Sequence, residues 1–148
     1  MNIVKPKSKP ASLDWPTCSF FAIYDGHGGN SCADFLKDKL HGIIVNQECF
    51  PRDAAQALTT GCLEAERRFL AQADAREPTH DRSGSCAIII LMVNSECFVA
   101  NVGDSRAIMS ADAGKKLFLL SRDHRPNEEN EKKRIMTNGG QIYQTPNE

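Results

Sequence analysis

Three stretches of the chain repeat apolar residues at helical spacing. The first begins near Asn30, with Ser31 and Asp34 placed as a capping box, and continues to about Ile44. The second begins at Asp53, whose side chain can cap the first turn. A third pattern runs over residues 127–137, with acidic residues early and basic residues late. The pattern therefore predicts three helices.

Between the second and third helices the apolar pattern changes to that of β-strands. Apolar runs at 85–93 and 97–102 flank one polar turn, and runs at 106–110 and 116–120 flank another. Such neighbours form an antiparallel meander. The first run is apolar without alternation, which predicts a strand covered on both faces. A further buried strand is predicted at 20–24, before the first helix.

The remaining segments lack periodicity and read as connections. Residues 1–17 hold three prolines and several lysines, which predicts an irregular lead-in to a domain at 18–148, with Trp15 anchoring its end. The polar stretch from Asp74 to Arg82 predicts a loop. Strands in a meander combined with helices predict an α+β fold.

The amino-acid composition and net charge indicate which class of protein the chain belongs to. The chain has 148 residues, 41% apolar and 25% charged, and a formal net charge of -1, which fits one globular domain without a nucleic-acid surface. The basic start, residues 1–7, has no apolar core after it, so we expect no signal peptide. The longest apolar run, at 86–93, is far shorter than the roughly 20 residues that span a bilayer, so we expect no membrane partner.

Six cysteines are present without a Cys-x-x-Cys pair, which argues against a zinc site. Four of them lie in apolar periodic stretches. We therefore expect small buried thiols rather than a disulfide framework, and a reducing compartment, the cytoplasm or the nucleus.

The segment from Tyr24 to Gly29 carries the first candidate chemistry. Asp25 offers hard carboxylate oxygens, the carbonyl of Gly26 another oxygen, and His27 the type of side chain that exchanges protons near neutral pH. Glycines at this point let the backbone turn and approach an ion or a phosphoryl group. The same residues also fit a purely structural turn, and the motif alone does not decide between the two.

Further motifs follow in a fixed order: S-G-S-C-A at 83–87, G-D-S-R at 103–106, and S-R-D-H-R-P at 121–126 with a later Gly-Gly-Gln-Ile at 139–142. Together with D-G-H-G-G at 25–29, they resemble the N-terminal half of the metal-dependent serine/threonine protein phosphatases of type 2C. The resemblance implies an antiparallel β-sandwich flanked by α-helices in four layers, here incomplete. It also implies a phosphorylated protein as substrate.

The resemblance implies a role for each candidate residue. Asp25 would bridge two Mg²⁺ or Mn²⁺ ions, Gly26 would offer its carbonyl to one of them, and His27 would be the general acid for the departing seryl or threonyl oxygen. Asp104 would help to hold a third, weaker ion; its alternative reading is an ordinary turn aspartate. The chemistry suits metals, because two ions held about 3.5–4 Å apart activate water and neutralise phosphoryl charge.

Other polar residues of the motifs are expected to be structural. We expect His124 to lack a catalytic role, Asp123 to be a turn or helix-entry residue, and Arg106 to pair with another side chain rather than with substrate. Ser83 and Ser85 are not accompanied by the His and Asp partners of a serine nucleophile.

The chain also departs from the family pattern. The phosphate-gripping arginine and the acidic pair that precede D-G-H-G-G in the family have no counterpart here, and the family's later metal-binding aspartates would fall beyond Glu148. We therefore expect a truncated form that binds Mg²⁺ or Mn²⁺ weakly and is weakly active or inactive. Such a form would be a monomer with exposed sheet edges. The alternative is a noncatalytic module that binds a phosphoprotein or regulates a partner.

Overall fold

The computed structural model describes residues 1–75 and 81–143. Within these ranges the chain forms an antiparallel four-stranded sheet in the order β1-β2-β3-β4, a separate β5-β6 hairpin and three helices, which confirms the α+β prediction. The elements are β1 Asn2–Ile3, β2 Cys18–His27, α1 Ser31–Val45, α2 Ala54–Asp74, β3 Gly84–Val93, β4 Glu96–Val102, β5 Ile108–Ala111, β6 Lys116–Leu119 and α3 Glu129–Thr137.

The hydrophobic core lies between the sheet and the α1-α2 pair. The largest fully buried side chains there come from α1, β3 and the α1-α2 connection, namely Leu40, Ile44, Ile89, Leu91 and Phe50. Helix α2 contributes buried Ala57 and Ala65. Alternate residues of β2 and β3 point into this layer, as expected for strands with one face against helices. The core therefore fixes the register of β2 against β3, and with it the ends of both strands.

The opposite face of the sheet has no covering layer within the described residues. On β2, Phe21 is 55% exposed and Ile23 is 67% exposed. The apolar run of β3 had predicted cover on both faces, but helices cover only one, and Ile90 and Met92 on the other remain partly accessible. Ile88, on the same face, is buried. The described residues thus form an incomplete sandwich.

The lead-in is more ordered than its composition indicates. Residues Asn2–Ile3 form β1, and the amino group of Met1 donates to the carbonyl of Phe20 at 2.9 Å. The indole of Trp15 donates to the carbonyl of Ile3 at 3.3 Å and its ring packs against Phe50, so this residue anchors the segment as expected. The prediction of no folded element was wrong at β1, because two residues of backbone pairing leave no periodic signal.

Of the two predicted helix caps, the structure confirms the one at α2 and not the one at α1. Asp53 caps α2 as expected, since its carboxylate accepts from the backbone N–H of Gln56 at 2.9 Å. At α1 the N-cap is Asn30 rather than Ser31, and among the described residues the Asn30 side chain makes no capping hydrogen bond. The predicted capping box with Ser31 as the cap was therefore wrong, because the cap position lies one residue earlier. Adjacent Asn and Ser residues are both good caps, so sequence alone separates them poorly.

The cysteines are all free thiols, and they differ in burial. Cys18 is buried, Cys97 is exposed, and the other four are intermediate, so the expectation of buried core thiols was wrong for most of them. The cellular compartment inferred from them stays a prediction. No helix in the described part of the chain has the length and apolar character to cross a bilayer. Of the predicted loop at 74–82, residues 76–80 lie outside the described ranges.

Candidate functional site

Asp25, Gly26 and His27 lie within β2, not in a turn after it. They pair with Cys86, Ser85 and Gly84 of β3, respectively, so the strand extends three residues further at this end than predicted. The turn follows at Gly28 and Gly29, where φ is +66° and +133°. The sequence prediction placed the turn too early because Asp-Gly is a common turn pair, and the β3 partner that extends the strand is about 60 residues away.

Gly26 marks the side of β2 that faces α1. A Cβ at this position would lie 3.1 Å from the Cβ of Ala33, closer than ordinary contact. Successive residues of a strand point to opposite faces, so Asp25 and His27 point away from this helix contact. The glycine thus lets α1 approach the strand end while the two functional side chains stay on the open face.

His27 is exposed and lies over the backbone of Gly84. A Cβ on Gly84 would come within 2.9 Å of Cε1 of the imidazole ring, so only glycine leaves room for the ring in this position. On the helix side of the same strand end, a cavity of about 430 Å³ is lined largely by apolar residues of α1 and α2, including Leu36 and Phe69. His27 is therefore accessible from solvent, as a proton donor to a substrate must be.

Asp104 reaches the same face through the turn after β4. Gly103 has a φ of +94°, and a Cβ there would lie 2.9 Å from the Cβ of Cys86, so the turn is pressed against β3. The Cys86 thiol donates to Oδ1 of Asp104 at 3.5 Å. Since Cys86 is directly opposite Asp25, and such pairs share a face, Asp25 and Asp104 flank Cys86 on one side of the sheet.

Two arginines link the G-D-S-R turn to the segment before α3. Nε of Arg125 lies 3.3 Å from Oδ2 of Asp104, and its Nη2 lies 3.8 Å from Oδ2 of Asp123. Nε and Nη2 of Arg106 donate to Oδ1 and Oδ2 of Asp123 at 2.9 and 2.7 Å, respectively. The hydrogen bonds from Arg106 lower the pKa of Asp123 below its ordinary value. Arg106 thus pairs with a side chain, as the sequence analysis expected.

The segment that carries these charges is tied to the end of β4 by backbone contacts. The N–H of His124 donates to the carbonyl of Gly103 at 3.0 Å, and the side chain of Asn101 donates to the carbonyl of Arg122 at 2.8 Å. Sequence reasoning missed both Cys86 and Arg125 as neighbours of Asp104. The available signal was the basic character of 121–125.

The donors fit Mg²⁺ or Mn²⁺ in kind but form a partial set. Asp25 and Asp104 supply carboxylates on one face, and hard oxygen donors are what these ions prefer. Gly26, whose carbonyl was the third predicted donor, pairs with Ser85 in the β2-β3 ladder. Within residues 1–75 and 81–143, no group of three or more His, Cys, Asp or Glu side chains is close enough to hold a metal ion.

Comparison with known sequences identifies the relatives of this chain. The family model for protein phosphatase 2C matches residues 4–148. The chain is 37% identical over 134 residues to probable protein phosphatase 2C 52 of Oryza sativa subsp. japonica, covering 90% of this chain and 26% of the relative. It is 39% identical over 125 residues to protein phosphatase 2C homolog 2 of Hypocrea jecorina, covering 82% of this chain and 27% of that protein.

Solved structures show the same fold. A C. elegans sex determining protein superposes with a TM-score of 0.73 at 25% identity, over 88% of this chain and 32% of that one. The serine-threonine phosphatase 2C of Toxoplasma gondii superposes with a TM-score of 0.69 at 22% identity, over 90% of this chain and 48% of that one. The chain spans only about a quarter to two fifths of the curated relatives, from 26% to 37% of their length.

Proposed function

Because the chain belongs to the protein phosphatase 2C family, we propose that it forms part of a metal-dependent enzyme that hydrolyses phosphoserine and phosphothreonine in proteins. Family membership supports a protein phosphatase function in general. The single observation that carries the finer proposal is the placement of Asp25 and Asp104 on one face of the sheet, around Cys86. His27, two residues along β2 from Asp25, completes an open site at the strand end.

Each residue has a distinct role in this proposal. Asp25, with the carbonyl of Gly26, would hold Mg²⁺ or Mn²⁺, and Asp104 would hold a further ion beside them. When bound, such ions supply an activated water and neutralise charge on the phosphoryl group. His27 holds a proton for the seryl or threonyl oxygen that departs, and its exposure lets a protein substrate approach it.

The proposed activity of the 148-residue chain is low. Holding two dications close together requires charge from several carboxylates, and within the described residues no group of three or more His, Cys, Asp or Glu side chains could hold an ion. We therefore propose weak binding of Mg²⁺ or Mn²⁺ and slow turnover at most.

The proposed role of His27 is tested by comparing two substrates. In the presence of Mn²⁺, His27→Ala should slow hydrolysis of a phosphothreonine peptide by about 100-fold or more, because the alkoxide of threonine leaves poorly without a proton. Hydrolysis of p-nitrophenyl phosphate should fall much less, since p-nitrophenolate leaves without one. Asp25→Asn should abolish both reactions, and Asp38→Asn, an exposed carboxylate on α1, should change neither. Equal losses on both substrates for His27→Ala would contradict its role as acid.

A second candidate function is a noncatalytic module that binds phosphoprotein. It is favoured by the partial donor set and by Arg125, which already pairs with Asp104 and leaves a guanidinium at the site. In that case a phosphothreonine peptide would bind with the same affinity with or without Mn²⁺, and no phosphate would be released. Turnover that depends on Mn²⁺ and on Asp25 would exclude this candidate.

A further inference from the structure

Both carboxylate oxygens of Asp104 already have partners from other parts of the chain. Oδ1 accepts from the thiol of Cys86 on β3 at 3.5 Å. Oδ2 lies 3.3 Å from Nε of Arg125, in the segment before α3. Because the arginine is always charged, the carboxylate has a counter-charge before any ion arrives.

From this arrangement we infer that Arg125 is an internal counter-cation of Asp104, which a divalent ion has to displace in order to bind there. The inference rests on the proposed metal-binding role of Asp104 and adds a residue that regulates it. A dication and a guanidinium at the same carboxylate repel each other, so one weakens the binding of the other. Arg125 thereby lowers the affinity of this position for Mg²⁺ or Mn²⁺.

A displaced Arg125 has a second carboxylate within reach. Its Nη2 already lies 3.8 Å from Oδ2 of Asp123, while Nε points to Asp104. Asp123 is in turn fixed by the two hydrogen bonds from Arg106. A small rotation of the Arg125 side chain would exchange Asp104 for Asp123, so the guanidinium keeps a partner when the ion takes its place.

The backbone holds Arg125 beside the G-D-S-R turn. The preceding residue, His124, donates its N–H to the carbonyl of Gly103, which is the residue before Asp104. Proline follows at position 126 and restricts the backbone of Arg125 to extended conformations. The position of the guanidinium is thus built into the fold, although the side chain itself is about half exposed, at 54%.

The size of the effect follows from this exposure. Side chains of Arg125 and Asp104 are 54% and 46% exposed, so water screens the pair and its strength is that of a surface ion pair. Removing the competing charge should therefore raise the affinity for a divalent ion by about two- to fivefold.

The test measures Mn²⁺ binding directly, by titrating the full chain and following the EPR signal of free Mn²⁺. Arg125→Gln should bind Mn²⁺ about two- to fivefold more tightly than the wild type. Arg125→Lys keeps the charge and should stay close to the wild type. The matched control is Arg122→Gln, which changes the net charge equally at an exposed position in the same segment and should leave the affinity unchanged.

A double variant locates the effect at Asp104. In the Asp104→Asn background, adding Arg125→Gln should change Mn²⁺ affinity no further, because the competition needs the carboxylate. Circular dichroism of each variant verifies that the fold is retained. If Arg125→Gln binds Mn²⁺ no more tightly than the wild type, or no more tightly than Arg122→Gln, the inference is overturned.

The possible outcomes distinguish a failure of this inference from a failure of the proposed metal-dependent function. Wild-type binding that weakens in both Asp25→Asn and Asp104→Asn, with no gain in Arg125→Gln, leaves the proposed function standing and overturns the role of Arg125. Wild-type binding that is unaffected by either aspartate substitution, or absent up to millimolar Mn²⁺, overturns both.

Discussion

At the scale of single residues, two glycines share a left-handed backbone but differ in their surroundings. Gly103 has a φ of +94° and lies against Cys86, while Gly114 has a φ of +87° and, among the described residues, would place a Cβ in open space. Alanine suffers backbone strain at either position, and only at Gly103 does it also meet a neighbour. Comparing alanine substitutions at the two positions therefore separates the cost of backbone strain from the cost of the contact with Cys86.

We expect Gly103→Ala to destabilise the chain more than Gly114→Ala does. Both should lose about 1–2 kcal/mol of unfolding free energy to backbone strain, and Gly103→Ala should lose at least about 1 kcal/mol more through the contact with Cys86. Urea denaturation followed by circular dichroism measures both. Equal losses would mean that the turn does not press on β3 as described.

Asp123 gives a prediction about pH. Its pKa is lowered in the folded chain by Arg106, so the folded state binds fewer protons at this carboxyl than the unfolded state does. The stabilisation is present above the ordinary aspartate pKa of about 3.9 and is lost as the pH falls through the lower, folded value. Asp123→Asn should thus lower the melting temperature at pH 7, and its difference from the wild type should shrink below about pH 3.9.

The control for this prediction is Asp112→Asn. Asp112 lies 3.7 Å from Lys116 with both side chains more than half exposed, so it should show little difference at any pH. A difference between wild type and Asp123→Asn that stays constant from pH 7 to pH 2.5 would contradict the account.

At the scale of elements, α1 and α2 approach each other closely at Gly61. A Cβ on Gly61 would lie 3.0 Å from the Cα of Ile44, so the two helices are in contact at this point. Gly42, on α1, would place a Cβ in open space among the described residues. Substitution by alanine should therefore change the free energy of unfolding in opposite directions at these two glycines.

Gly61→Ala should destabilise the chain by about 1–3 kcal/mol, because the backbone of Ile44 cannot move aside cheaply. Gly42→Ala should stabilise it by up to about 1 kcal/mol, since alanine favours the helix and meets nothing. Free energies of unfolding from urea titration give both values. A gain in stability for Gly61→Ala would show that the helices are not closely packed there.

Local patterns predicted the elements better than they predicted element ends. The helix at Asp53 and the strand pair around Asn94 follow from short-range signals, namely a cap, an apolar period and a turn. The end of β2 was missed because its extension through His27 depends on Gly84, far along the chain. Polar residues and glycines at a strand end carry no local pattern that shows whether a distant segment pairs with them.

The same limit applies to the site. Resemblance to the family pointed to Asp25 and Asp104, and the structure brings them to one face through Cys86. It did not point to Arg125, whose contact with Asp104 arises from the path of the segment before α3. Long-range contacts of charged side chains depend on the assembled fold, so sequence patterns do not contain them.

At the scale of the whole molecule, the sheet presents an apolar face on the side away from α1 and α2. Phe21 and Ile23 contribute most of its exposed apolar surface on β2. Contiguous apolar surface of this kind binds hydrophobic dyes and promotes precipitation.

Replacing Phe21 and Ile23 together by threonine should lower the fluorescence of bound 1-anilinonaphthalene-8-sulfonate and raise the solubility limit. Threonine retains β-propensity, so the melting temperature should change little. The control is Leu63→Thr, an exposed apolar residue on α2, which should leave dye binding nearly unchanged. A large fall in melting temperature for the double variant would mean that this face is packed rather than open.

The most direct test of the central claim is paramagnetic broadening by Mn²⁺ in an NMR spectrum of the ¹⁵N-labelled chain. If Asp25 and Asp104 bind the ion from one face, substoichiometric Mn²⁺ should broaden the amide signals of 25–27, Cys86 and 103–105 together. The same signals should stay sharp in Asp25→Asn. Broadening confined to one of these segments, or centred on the acidic residues of α3, would contradict a shared metal site.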